Sequence, residues 1–138
     1  MAYRSTIVIG LAAVVLAAPT AADADTITGT SGDDRLVGTA RADRIWGLAG
    51  NDTLLGRDGV DTASGGAGRD VVRGGPGADV LYARGGHDRV YGDRGADHIR
   101  VNGGGRDVVR CGPGYDTVWV DRRDVRRGCE FVEVLPIG

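Results

Sequence analysis

An aspartate recurs every nine residues over most of this chain. The spacing stays at nine from Asp34 to Asp97, lengthens to ten once, and returns to nine at Asp116. A glycine precedes nine of these ten aspartates by two residues, and an apolar residue follows each of them by two. A fixed short period of this kind indicates a repeat architecture rather than an ordinary globular fold. The series comprises Asp34, Asp43, Asp52, Asp61, Asp70, Asp79, Asp88, Asp97, Asp107 and Asp116.

Each nonapeptide divides into a part that favours a turn and a part that favours a strand. The glycines of the first six residues permit positive φ and close backbone approach, which excludes a helix there. The last three residues place one apolar side chain between two more polar ones, the pattern of a strand with one inward position. Such short strands are stable only when they stack on neighbours. With two repeats per coil, the ten repeats of 29–119 predict an all-β parallel β-roll solenoid of about five coils, with Val101 as one extra residue.

The residues before the repeats are typical of an export signal. Arg4 is followed by an apolar run, 7–18, that is shorter than the ~20 residues of a membrane span. Small residues at Ala22 and Ala24 then suit a signal peptidase. We therefore expect residues 1–24 to be a removed signal peptide, 25–119 the repeat domain and 120–138 a C-terminal cap, in a secreted protein without a stable membrane span. A form tethered by an uncleaved leader is the alternative.

Charge and composition disfavour two classes of function. The chain carries 17 basic and 19 acidic residues, and every basic residue is an arginine. Arginines and aspartates alternate along the repeats, so the sequence predicts no basic face for nucleic acid. The histidines, His87 and His98, lie inside repeats without a nearby nucleophile, so we expect no enzymatic activity.

The two cysteines, Cys111 and Cys129, lie near the C-terminus. An even pair in an exported protein favours a disulfide. A two-thiol metal site is the alternative, and no histidine lies in that segment to support it. The disulfide would fasten the irregular tail to the last regular repeat, with an alternating segment, 130–134, as a short terminal strand.

Alternate repeats stack on the same edge of such a solenoid, so the aspartates form two columns. Stacked strands lie ~4.8 Å apart, and carboxylates at that spacing repel one another unless cations lie between them. Carboxylates and turn carbonyls provide the all-oxygen environment that Ca²⁺ prefers over Mg²⁺ or Zn²⁺. One apolar residue per nonapeptide also leaves a thin core, so several bound Ca²⁺ ions would supply part of the folding energy.

Two repeats, 65–73 and 74–82, match the pattern G-G-x-G-x-D-x-U-x, in which U is a large apolar residue. The chain thereby resembles the RTX, or haemolysin-type, calcium-binding proteins, and its tail is similar to that of small exported actinobacterial members. The resemblance implies a parallel β-roll that binds Ca²⁺ between consecutive turns. It assigns as metal ligands the ten aspartates of the series together with Gly66, Gly68, Gly75 and Gly77.

Some repeats depart from the pattern. Arg41 replaces the glycine before Asp43, and Arg69 and Arg106 stand beside candidate ligands, where they could weaken or partly replace a metal. An aspartate in a glycine-rich turn can also bond to its own backbone instead of a cation. A metal-free solenoid whose carboxylates are compensated by arginine is therefore the alternative to the calcium-binding protein.

The outward strand positions suggest a surface role. The last residues of alternate repeats are Trp46, Ser64, Tyr82, Arg100 and Trp119, which places three aromatic side chains on one face. They could dock a carbohydrate or protein in an adhesion or recognition function. The simpler interpretation is that residues favourable in strands fill surface positions.

Overall fold

The computed structural model describes residues 14–16 and 25–134 of the 138-residue chain. These residues form fourteen short strands and no helix, so none of them belongs to a helix that could cross a bilayer. Every strand pair is parallel, and the strands alternate between two seven-stranded sheets. This is the all-β parallel solenoid that the repeat period predicts.

The first sheet contains the odd-numbered strands: β1 (Val14–Leu16), β3 (Arg35–Val37), β5 (Thr53–Leu55), β7 (Val71–Pro76), β9 (Arg89–Arg94), β11 (Val108–Arg110) and β13 (Val125–Arg127). The second sheet contains the even-numbered strands: β2 (Thr26–Thr28), β4 (Arg44–Ala49), β6 (Thr62–Ala67), β8 (Val80–Ala83), β10 (His98–Val101), β12 (Thr117–Val120) and β14 (Phe131–Val134).

The ten repeats supply one strand each, β3 to β12, and these complete the five predicted coils. The predicted terminal strand is confirmed as β14, whereas β2 and β13 lie outside the repeats and lengthen the solenoid to about six turns. Of the predicted leader, only Val14–Leu16 is described, as the strand that pairs with β3. The rest of that leader, with its expected cleavage, lies outside the described residues.

The core is a double stack of the apolar residues that follow the aspartates by two. All ten are fully buried, because each is the second residue of its strand and points between the sheets, while most of the residues that flank it point outward. The stack consists of Leu36, Ile45, Leu54, Ala63, Val72, Leu81, Val90, Ile99, Val109 and Val118. Because this core is narrow, much of the remaining buried part of the molecule lies along the two turn edges, at the aspartates.

The extra residue of the repeat series lies in a turn, not at Val101. Val101 is fully buried and pairs with Ala83, the first residue of the repeat 83–91. Val101 therefore holds the equivalent first position of its own repeat. The insertion therefore falls in the following turn, 102–105, where Gly103 and Gly104 both have positive φ. A lengthened turn preserves the strand register, whereas an extra strand residue would turn the following side chains to the other face.

The C-terminal disulfide between Cys111 and Cys129 is confirmed. The two Cα atoms lie 5.2 Å apart, and the 18-residue separation spans one coil. The terminal strand, β14, pairs with β12 and is the last strand of the second sheet. Phe131 pairs with Thr117 at an outward position and is 61% exposed, while Val132 extends the core stack beyond Val118.

Candidate metal sites in the two turn columns

The aspartates of alternate repeats form a hydrogen-bonded ladder along each edge. The backbone N–H of each aspartate donates to Oδ1 of the aspartate one coil later, as from Asp61 to Asp79 at 2.8 Å and from Asp70 to Asp88 at 2.9 Å. One column contains Asp34, Asp52, Asp70, Asp88 and Asp107, and the other contains Asp43, Asp61, Asp79, Asp97 and Asp116. The columns are those that a two-repeat coil predicts.

Both ladders continue into the tail with residues that the nine-residue spacing did not identify. Asp107 donates its N–H to Asp124 at 3.0 Å, and Asp116 donates to Glu130 at 3.1 Å. The separations are 17 and 14 residues, because the tail shortens its turns. The one sequence signal was Asp124 followed by Val125, a remnant of the aspartate–strand junction of the repeats.

The second carboxylate oxygen of most column aspartates is buried without a hydrogen-bond partner. The aspartates themselves are at most 4% exposed. Burying an ionised carboxylate without full compensation is costly, so these oxygens require a cation or a proton. The unpartnered atoms are Oδ2 of Asp52, Asp61, Asp70, Asp79, Asp88, Asp97 and Asp116, together with Oδ1 of Asp34.

Burial raises the pKa values of these carboxyl groups towards neutrality. The pKa rises to about 7 for Asp61, Asp88 and Asp97, and to about 6 for Asp52 and Asp79. Loss of solvation is the main cause; the backbone N–H donor of the preceding coil opposes it, and nearby carboxylates add to it. At neutral pH, negative charge on the columns is therefore unfavourable unless a cation balances it.

The first position of most repeats is a glycine because the unpartnered oxygen lies too close for a side chain. A Cβ built on Gly56 would clash with both Oδ2 of Asp61 and the carbonyl oxygen of Gly74, one coil later. Gly74 has the same two kinds of neighbour, Oδ2 of Asp79 and the carbonyl oxygen of Gly92. At each of these glycines a carboxylate oxygen and a carbonyl oxygen from adjacent coils lie close together, and both are donors that suit Ca²⁺.

The four predicted ligand glycines lie in the turns that precede Asp70 and Asp79. Gly66, Gly68, Gly75 and Gly77 all have positive φ, between 106° and 144°. A Cβ on Gly77 would overlap the carbonyl oxygen of Gly59 in the preceding coil, so the turns stack too closely for another residue.

The first two turns differ, because a threonine closes them. Thr30 donates its N–H and hydroxyl to Oδ2 of Asp34 at 2.5 and 3.0 Å. Thr39 donates in the same way to Oδ2 of Asp43 at 2.6 and 3.1 Å. In these two turns the carboxylate is therefore bonded to its own turn, the alternative that the sequence left open.

Arginine does not compensate the buried carboxylates next to it in sequence. The backbone N–H of Arg69 donates to Asn51 Oδ1, that of Arg106 donates to His87 Nδ1, and neither guanidinium pairs with a described carboxylate. No three carboxylate, imidazole or thiol side chains converge within the described residues. An ion here would thus rely on backbone carbonyls in addition to carboxylates, which suits Ca²⁺ and not Zn²⁺.

The predicted aromatic row is present on the outer face of the second sheet. Strand register aligns Trp46, Ser64, Tyr82, Arg100 and Trp119 in adjacent coils. The indole of Trp119 stacks on His98 with ring centroids 6.2 Å apart and donates to Glu133 at 2.6 Å. The stacking contact and the hydrogen bond fix the orientation of the Trp119 ring.

Comparison with known proteins gave one family. Four copies of the RTX calcium-binding nonapeptide repeat match the chain, over residues 21–40, 28–63 and 64–99. No curated protein and no solved structure matched. The matched residues cover more than half of the chain and contain eight of the ten column aspartates. By its repeats, the chain belongs to the RTX calcium-binding nonapeptide repeat family.

Proposed function

We propose that this is an exported, non-enzymatic protein that binds several Ca²⁺ ions between its coils and folds as they bind. The observation that carries the proposal is the set of buried carboxylate oxygens without a hydrogen-bond partner, repeated along both turn columns. In the turns of Asp52, Asp61, Asp79 and Asp97, this oxygen lies close to the first-position glycine together with a carbonyl oxygen of the next coil. Calcium would neutralise the columns, and its binding energy would add to folding energy.

The candidate ligands are the column aspartates with the carbonyl groups of the adjacent turns. The strongest candidates are Asp52, Asp61, Asp70, Asp79, Asp88 and Asp97, which combine an unpartnered Oδ2 with a regular turn. Asp34 and Asp43 are weaker candidates because threonine already donates to them.

Calcium titration of Asp61→Asn, with Asp58→Asn as its control, tests the proposal. Both residues belong to one repeat, but Asp61 is fully buried in a column whereas Asp58 is exposed. We expect Asp61→Asn to weaken calcium binding while stabilising the calcium-free protein, because the amide retains the Oδ1 acceptor and removes a buried charge. Asp58→Asn should change neither quantity. Calorimetry would measure binding, and circular dichroism in chelator would measure folding.

Equal calcium affinity in wild type and Asp61→Asn would exclude Asp61 as a ligand. No calcium binding by the wild type, with full β structure in chelator, would instead support a metal-free solenoid. That outcome would favour the alternative function, surface adhesion or recognition, for which the aligned aromatic row is the supporting observation. The row remains intact in both variants, so the two functions are tested separately.

A further inference from the structure

The fold separates acidic from basic residues, although they alternate in sequence. Eleven aspartates are buried in or at the end of the turn columns. Within residues 25–134, sixteen arginines are exposed, against seven acidic residues that are not buried. If calcium balances the columns, the surface is strongly basic despite a net charge of −2 for the whole sequence. Arginine and aspartate alternate in the sequence, which is why we predicted no basic face, but they do not alternate on the surface.

Part of this positive charge forms a row on the outer face of the first sheet. Strand register aligns Arg73, Tyr91, Arg110 and Arg127 in four successive coils, and we call these residues the arginine row. Its three arginines are exposed. The row runs along the solenoid axis with one side chain per ~4.8 Å, the distance between stacked strands.

A shallow cleft of about 560 Å³ lies beside this row, lined by Arg73, Tyr91, Asp93, Arg94, Arg110 and Pro113. Asp93 holds Arg73 through two hydrogen bonds, at 2.8 and 3.1 Å, and the guanidinium lies 5.4 Å from the centre of the Tyr91 ring. Arg94 and Arg110 form no ion pair with any described residue. The cleft thus combines the ring of Tyr91 with two arginines, Arg94 and Arg110, that no described acidic side chain neutralises.

We infer that the arginine row binds an acidic polysaccharide that carries about one carboxylate or sulfate per sugar unit. An extended chain of this kind presents anionic groups at a spacing similar to that of the coils, so that Arg110 and Arg127 meet successive groups. Tyr91 offers an apolar face for a sugar ring, and Arg94 supplies a further donor at the cleft. Duplex DNA fits less well, because its charges are denser, at ~1.7 Å per charge along the axis.

This inference rests on the proposed function only in so far as calcium neutralises the buried columns. The arginine row itself lies on the opposite side of its strands from the core, and its residues are not candidate calcium ligands. A failure of calcium binding and a failure of polysaccharide binding can therefore be observed independently.

The test measures binding of the folded protein, in millimolar Ca²⁺, to chondroitin sulfate, with about one anionic group per sugar. Hyaluronan has half that charge density, dextran is uncharged, and a short DNA duplex serves as the nucleic-acid probe. The test variant is Arg110→Gln with Arg127→Gln. The control is Arg44→Gln with Arg100→Gln, which removes the same charge from the outer face of the second sheet.

We expect chondroitin sulfate to bind, hyaluronan to bind more weakly and dextran not to bind. The test variant should weaken binding by about tenfold and the control should not, while circular dichroism shows both folded. Equal losses in the two variants would overturn the inference in favour of diffuse charge attraction. Tighter binding of DNA at equal ionic strength would also overturn it, in favour of a nucleic-acid ligand, as would the absence of any chondroitin sulfate binding.

Discussion

In the first two turns the second repeat position is a threonine, whereas in most later turns it is a residue with positive φ. Thr30 and Thr39 donate to the carboxylate of their own turn, so we call these two turns closed. Leu48 and Arg57, like the glycines Gly66 and Gly75, have φ between 80° and 108°. Their aspartates keep an unpartnered Oδ2, as do Asp88 and Asp97, and we call the turns of Asp52, Asp61, Asp70, Asp79, Asp88 and Asp97 open.

A threonine at the second position thus satisfies Oδ2 of the buried carboxylate within its own turn. Positive φ is not required for an open turn, since Arg84, in the turn of Asp88, does not have it. A threonine donates twice to Oδ2 within its own turn, so this oxygen needs no cation, although Oδ1 of Asp34 stays without a partner. A left-handed residue supplies no such donor, and three non-glycine residues, Leu48, Arg57 and Asp93, adopt this unfavourable conformation there. These three unfavourable backbone conformations all lie in open turns, and backbone strain of this kind is typical of functional sites.

The largest difference should come from removing an open-turn aspartate. Asp79→Ala should lose bound calcium and lower stability in calcium by on the order of 3 kcal/mol or more, since loss of a metal ligand is among the severe mechanisms. Asp43→Ala should cost hydrogen bonds but leave bound calcium unchanged. Isothermal calorimetry and melting in calcium would measure both quantities. Equal loss of calcium in the two variants would remove the distinction between open and closed turns.

The stability of the calcium-free protein should decrease as pH rises. The folded pKa values of Asp61, Asp88 and Asp97, about 7, exceed the ordinary value of 3.8, so the folded state binds more protons than the unfolded state between these values. Their contribution is complete below pH ~4 and is lost as pH rises through 7. In chelator the melting temperature should be higher at pH 5 than at pH 8, and in saturating calcium the order should reverse. A calcium-free melting temperature that rises from pH 5 to pH 8 would contradict the account.

Removing the disulfide should have an effect of intermediate size. Cys111→Ser with Cys129→Ser opens a link across 18 residues, which costs about 3 kcal/mol in the loop-entropy model. Because the link joins the tail to the last regular coil, the loss should appear without any change in calcium stoichiometry. Denaturant unfolding in calcium, with oxidised wild type as reference, measures it. Unchanged stability would assign closure of the C-terminal end to other contacts.

The smallest effect should come from a closed turn. Thr39→Val removes the hydroxyl donor to Asp43 but keeps the backbone N–H, so it should cost about 1 kcal/mol and no calcium. Thr53→Val is a suitable control, because Thr53 lies at an outward strand position of β5. A gain of bound calcium in Thr39→Val would reveal that the hydroxyl alone had kept the turn closed.

The repeat period predicted the strands, the core and both columns because these depend on one backbone register. Leu54 and Asp61, for example, lie where their spacing requires. The closed turns were harder to predict from the sequence, since they depend on whether a residue such as Thr39 adopts positive φ. The ladder ends at Asp124 and Glu130 were missed because the tail shortens its turns and leaves the period. The surface separation of arginine from aspartate was also hidden, because neighbours in sequence point to different environments.

The most direct test of open and closed turns is an anomalous difference map from crystals grown in calcium. We expect Ca²⁺ peaks beside the unpartnered oxygens of the open turns, from Asp52 to Asp97, and none beside Oδ2 of Asp34 or Asp43. Data collected where calcium scatters anomalously would distinguish these ions from water. Peaks of equal height in the closed turns, or an absence of peaks in both columns, would contradict the account.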